Sequence, residues 1–152
     1  MTDYPDEILR GIPTKDFVTP EGYASSAAFQ FEEYDPDRGD DFCEASINWV
    51  DDEGAVDVLL RQKKTRKGDV QPQFRVGYCR FARAALHSFF DPLFAKSLLS
   101  YERKPLEADE LNPENKYHGN ILLNKDVSKP LKQNIQAALA TLAGPVVRRD
   151  DL

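Results

Sequence analysis

The sequence predicts an α+β fold: an antiparallel sheet of about four to five strands with two to four helices, the C-terminal helix packed on one face. Three observations carry that expectation. Apolar and polar residues alternate over 27–31, 43–49 and 74–78, the period of a half-buried strand. One stretch, 130–143, carries large aliphatics at helical spacing between a capping serine and a Gly-Pro stop. A length of 152 residues suits a single domain, 1–152, which buries about two thirds of its unfolded surface without needing a metal or disulfide.

Taken in chain order, Ile8-Leu9-Arg10-Gly11-Ile12-Pro13 reads as a short first strand or an N-terminal arm docked on the sheet, with nothing that suggests catalysis. Ala27, Phe29 and Phe31 alternate with Ala28, Gln30 and Glu32. Cys43, Ala45, Ile47 and Trp49 alternate with Glu44, Ser46 and Asn48. These two runs flank the turn-forming Asp, Pro and Gly of 34–41, so an antiparallel hairpin is the simplest pairing. Trp49 continues the apolar face and is assigned to the core. Asp51 or Asp52 is placed to cap a helix of about ten residues with Val56, Leu59 and Leu60 inward.

Phe74, Val76 and Tyr78 suggest a third strand. Phe81, Ala85 and Phe89 sit at helical spacing over 81–90, and Asp91-Pro92 can restart a short helix through Leu98. Leu99, Tyr101 and Arg103 mark a fourth strand and 120–124 a fifth, separated by the polar loop 107–116. Ser128 then caps a helix entered through Pro130, whose missing N–H costs little there. Leu131, Ile135, Leu139 and Leu142 share one face of it, Gly144-Pro145 ends it, and 148–152 is expected to fray.

Aromatics at 11% argue against disorder. The longest apolar runs fall far short of the roughly 18 residues a membrane span needs, and the acidic N-terminus lacks the apolar region of a secretory signal. These features predict a soluble, cytoplasmic protein with no membrane partner. Cys43 and Cys79 stand alone in alternating stretches and read as free, structural thiols of a reducing compartment.

Charge is the unusual feature. Residues 1–60 hold 16 acidic and 3 basic side chains, a net −13, and the remainder is net +7. Arg61, Lys63, Lys64, Arg66, Lys67, Arg75, Arg80 and Arg83 face only Asp69 over the same span, a candidate surface for a phosphate or an acidic partner. The bland alternative is a solvated helix end and loop. Glu32, Glu33, Asp35, Asp37, Asp40 and Asp41 form a candidate acidic docking loop, again with a solubilising alternative. Its spacing lacks the register of an EF-hand, so no metal is expected there. With two histidines, no Cys-x-x-Cys and no glycine-rich phosphate loop, neither a metal nor a cofactor is expected anywhere.

The remaining polar cluster is Tyr117-His118-Gly119-Asn120 at the mouth of a strand. His118 suits general acid–base work, and Gly119 could let a ligand approach. If 99–103 pairs with this strand, one of Glu102 or Arg103 approaches His118, Glu102 to orient the imidazole or Arg103 to clamp an anion. In the competing reading His118 and Asn120 merely fix a turn, and His87 is an edge-of-core histidine. The leading functional expectation is a small non-enzymatic binding or adaptor protein that docks a protein partner through oppositely charged surfaces, with a homodimer also allowed. The alternatives are a small enzyme acting on a phosphorylated or nucleotide substrate with His118 as acid or base, and nucleic-acid binding through 61–83. The acidic pI of about 5.0 weighs against nucleic acid.

Overall fold

β1 and β2 of the protein form the centre of its main sheet, and the rest of the fold is arranged around them. The structure is a computed structural model that describes residues 4–32, 42–49, 57, 60–91 and 96–151. Its strands are β1 (Glu7–Ile12), β2 (Phe42–Trp49), β3 (Gln62–Lys64), β4 (Val70–Pro72), β5 (Gly77–Ala82), β6 (Phe90–Asp91), β7 (Lys96–Ser97), β8 (Leu99–Arg103), β9 (His118–Asn124) and β10 (Val147–Arg148). Six of them form one sheet, ordered β10-β5-β1-β2-β9-β8 and antiparallel throughout. β3–β4 and β6–β7 are separate two-stranded ribbons. The architecture is α+β as predicted, with a broader main sheet, and no helix among the described residues is long and apolar enough to cross a membrane.

β1 is buried on both faces, which is why its sequence does not alternate cleanly. Ile8 and Ile12 join the main core with Ala45, Ile47, Trp49, Ile121 and Leu123, while Leu9 packs on the other face against Phe74. Helix α1 (Lys129–Ala143) covers the main core. Ser128 caps it through the Leu131 N–H at 3.4 Å, Pro130 occupies its first turn, and Gly144 ends it at φ +67°. Its buried face is Ile135, Leu139, Ala140 and Ala143; Leu131 and Leu142 are exposed rather than inward. Two large aliphatics rather than four therefore anchor the helix, each worth about 1.5–3 kcal/mol on burial.

Several local expectations are corrected. The 27–31 run is not a strand: Ser26–Phe29 is a 3₁₀ turn that buries Ala28 and Phe29 beneath α1. Only Glu32 reaches β2, through a bridge to Glu44 with two N–H···O bonds of 2.8 Å, because β1 occupies the place beside β2 that the hairpin would have filled. The strand expected at 74–78 begins at Gly77. Phe74 instead turns onto the glycine notch of Gly11, where a Cβ would lie 2.5 Å from Phe74 Cγ. The helix expected over 81–90 is the end of β5 followed by a 3₁₀ turn, Arg83–Ser88, since Phe81 pairs with Ile8 across the sheet.

Lys96–Ser97 pairs with Phe90–Asp91 as a ribbon rather than ending a helix; 92–95 lie outside the described residues. Most of the predicted helix after Asp52 also lies outside them. Of its described members, Asp57 is helical and Leu60 is 59% exposed instead of inward. The C-terminal tail is docked, not frayed, through 149. Val147 and Arg148 pair with Tyr78 and Gly77, and Gly77 at φ +147° lacks the side chain that would collide with the Val147 carbonyl.

Candidate functional site

The sheet face away from α1 is polar, and much of it is covered rather than wet. Glu44, Asn48 and Asn120 are buried there. Loops 60–76 and 104–117 rise over this face and enclose a cleft of about 290 Å³ lined by Arg10, Ser46, Asn48, Arg61, Gln73, Phe74, Asn115 and His118, with Glu107 and Asp109 also contributing.

Arg10 reaches the cleft through a break in the sheet. β1 and β2 share only the rungs Ile8–Trp49 and Leu9–Asn48 before they part. The Arg10 side chain fills the opening: Nε donates to the Ala28 carbonyl at 2.8 Å and Nη1 to the Ser46 carbonyl at 2.7 Å. A guanidinium suits this task because its fixed fork satisfies two carbonyls at once, that of Ser46 where β2 has parted from β1 and that of Ala28 in the 3₁₀ turn. Burial pulls the Arg10 pKa down, partly offset by Cys79 and by the charge of Glu32, yet a guanidinium remains protonated. Among the described residues Nη2 has no hydrogen-bond partner, and Arg10 makes no ion pair.

His118 opens β9 and is half-buried. Its Nδ1 lies 2.8 Å from the Lys104 carbonyl, which can only accept, so Nδ1 carries the proton and Nε2 presents a lone pair. Burial is the main cause that lowers its pKa, and the positive charges of Lys104, Arg10 and Arg61 add to the effect against the carbonyl bond. The ring is thus held neutral with a defined tautomer. Asn48 and Asn115 close the floor, Asn115 Nδ2 donating to Asn48 Oδ1 at 2.7 Å while Asn115 Oδ1 accepts the Tyr117 N–H. Arg61 ties the covering loops together through Gln73 Oε1 (3.0 Å) and the carbonyls of Pro113 (2.8 Å) and Glu114 (2.5 Å). The cleft therefore combines one guanidinium with a spare donor, a second one nearby and a neutral imidazole acceptor, with the carboxylates of Glu107 and Asp109 also in its lining.

Comparison with known protein families, with curated proteins and with solved structures finds no match.

The other residues singled out by sequence fall in different places. Glu102 lies on the His118 face and faces Asn120 across the β8–β9 ladder, its Oε1 accepting from Asn120 Nδ2 at 2.9 Å. Arg103 is on the opposite face, its guanidinium 5.4 Å from the Tyr4 ring centroid, so it does not reach His118. Gly119 admits no ligand: Trp49 lies across it on the α1 side, with Nε1 donating to the Glu102 carbonyl at 2.9 Å. His87 is exposed and stacks on Tyr101 with Nε2 3.1 Å from the phenol oxygen.

The eight cations of 61–83 fall in different places in the fold. Arg80 is ion-paired with Glu7, and Arg83 bonds the Pro5 carbonyl and Tyr101 with Asp6 3.9 Å away. Lys63, Lys64, Arg66 and Lys67 sit on the β3–β4 ribbon and its turn, while Arg75 stands apart beside the C-terminal segment. Of the acidic docking loop, Glu32 is in the bridge to β2, and Glu33, Asp35, Asp37, Asp40 and Asp41 lie outside the described residues. Among the described residues no three His, Cys, Asp or Glu side chains converge as metal ligands.

Arg10 is the site residue that sequence reasoning missed. Its signal was there: it occupies the inward position between Ile8 and Ile12, where a charge needs a partner or a purpose.

Proposed function

We propose that the protein binds a small anionic ligand in this cleft, with Arg10 receiving the anionic group and His118 Nε2 accepting a hydrogen bond or a proton from the ligand. The observation that carries the reading is the Arg10 guanidinium, partly buried, fixed by two carbonyls and lacking an acidic partner among the described residues. Withdrawing a cation from water is unfavourable; Glu32 offsets part of that cost through its charge without bonding the guanidinium, and an anion in direct contact offsets more of it. The cleft's size lies at the small end of ligand pockets, which favours a compact carboxylate or phosphate over a nucleotide. The enzyme reading shares this site: His118 is its acid or base, and Arg10 takes the clamping role first given to Arg103.

The test is a calorimetric and NMR titration with a panel of small carboxylates and inorganic phosphate at constant ionic strength. Saturable binding that shifts the His118 imidazole signals and weakens at least tenfold in His118→Gln or Arg10→Lys supports the reading. A panel that leaves His118 unmoved overturns it.

The adaptor reading has one observation of its own. Lys63, Lys64, Arg66 and Lys67 make no ion pair among the described residues, and beside them Leu60, Val70 and Leu111 are exposed. An acidic polypeptide segment with an apolar anchor would complement that surface. A partner captured from its own cell extract and released by both salt and Lys63→Glu/Lys64→Glu is the supporting result; capture indifferent to both removes the reading.

A further inference from the structure

A second concave surface lies at the end of the sheet remote in sequence from His118. It encloses about 410 Å³ and is lined by Pro13, Thr14, Lys15, Arg75, Val76, Arg148 and Asp150. Three chain segments meet there because of backbone pairing. Val76 N–H donates to the Ile12 carbonyl at 3.1 Å, which sets the 73–76 bend against the end of β1. β10 pairs with β5 through Val147–Tyr78 and Arg148–Gly77, and the Arg149 N–H donates to the Val76 carbonyl at 2.9 Å. The fold thereby gathers Lys15, Arg75 and Arg148, which are exposed and make no ion pair among the described residues.

Three cations converging on one hollow repel one another, and Asp150, the one acidic side chain among the described residues of its lining, does not balance them. We propose that Lys15, Arg75 and Arg148 form a second binding site, specific for a phosphoryl group and clasped by the pairing of β10 on β5. A dianionic phosphoryl group compensates the excess charge that a single carboxylate leaves in place, and two guanidiniums offer the paired donors that such a group takes best. Thr14 adds a donor: its Oγ1 accepts the Asp16 N–H at 3.4 Å, leaving the hydroxyl proton for a ligand oxygen. Asp150 at the rim accepts from a hydroxyl or amino group, which favours a phosphorylated organic molecule over the bare ion.

The site is independent of the Arg10–His118 cleft and is tested apart from it. ¹⁵N-labelled protein is titrated with inorganic phosphate and with O-phosphoserine, each against sodium chloride of equal ionic strength. Saturable shifts of the Thr14, Lys15, Arg75, Val76 and Arg148 amides are expected. Arg75→Gln/Arg148→Gln should raise Kd at least tenfold, and the equally charge-reducing Lys63→Gln/Lys64→Gln should change it less than twofold. Arg75, Arg148 and Lys64 are exposed and Lys63 is half-buried, and an unchanged melting temperature checks that folding is intact. Tighter binding of O-phosphoserine assigns the site to a phosphorylated molecule; equal affinity assigns it to the phosphate ion. Equal weakening by the two double variants, shifts confined to the His118 cleft, or no saturable response overturns the proposal.

Discussion

Replacing Gly119 by Ala should cost the protein about 3 kcal/mol and disturb its only tryptophan. A Cβ at this position would stand 2.6 Å from Trp49 Cδ1, closer still to Nε1, and would overlap the Glu102 carbonyl oxygen. No rotamer relieves the second clash, because that atom belongs to the backbone of β8. Trp49 is 2% exposed and wedged between Tyr4 and Tyr101, so it has little room to move aside. Overpacking of this kind costs about 1–3 kcal/mol, and loss of the Trp49–Glu102 hydrogen bond adds about 0.5–1.5 kcal/mol. For a chain of this length each kcal/mol lowers the melting temperature by about 2–4 °C, so a fall of about 6–12 °C is expected.

Urea unfolding followed by Trp49 fluorescence reads both parts: a lower midpoint at unchanged slope, and an emission change already present in the native state. Gly68→Ala is the control. Gly68 has φ +90° with nothing within 4 Å of its Cβ position, so only the conformational cost of about 1–2 kcal/mol applies. If Gly119→Ala is no more destabilising than Gly68→Ala and leaves the emission unaltered, the packing argument for this end of the site is wrong.

His118 and Cys79 supply two further checks. The folded pKa of His118 is lowered, so below the ordinary value near 6.5 the unfolded chain binds the extra proton first. Stability contributed by the neutral ring is thus complete above that value, falls as pH drops through the window beneath it by at most about 1.4 kcal/mol per pH unit, and levels off once the folded ring protonates. His118→Gln should flatten that part of a pH-dependent urea series, and an unchanged slope refutes the assignment. Cys79 is fully buried and its thiol is pushed up to about 12, chiefly by burial. Iodoacetamide at pH 8 should modify it only at the rate of global unfolding, measured by mass spectrometry, and rapid native-state labelling would contradict the packing of β5.

What the sequence made legible follows from how local each signal is. The helix over 130–143 and the strands at 43–49 and 99–103 were readable because a cap, a stop or an alternation lies within each segment, whereas the strand expected at 120–124 begins two residues earlier, at His118. The 27–31 and 81–90 segments misled because their aromatics bury through tertiary contacts. Phe29 fits beneath α1 as a turn, and Phe81 is fixed by its pairing with Ile8. At the candidate site, His118 does open a strand and lines the cleft, and Glu102 was rightly put on the face opposite Arg103. Arg103 as a clamp failed because that alternation turns it toward Tyr4. Gly119 and Gly11 were ambiguous in sequence, since a notch that admits a ligand and one that admits an indole or phenyl ring look alike until the ring is placed.

The short seam between β1 and β2 gives the sheet two mechanical halves. On one side β5 and β1 are laced along the full length of β1; on the other, β2, β9 and β8 are laced as thoroughly. Between them stand two rungs and the Arg10 fork. A molecule that grips Arg10 from one plate and Asn48 or His118 from the other acts as a rivet across that joint, so occupancy of the hollow would register as stiffness of the whole sheet and not only as a filled space.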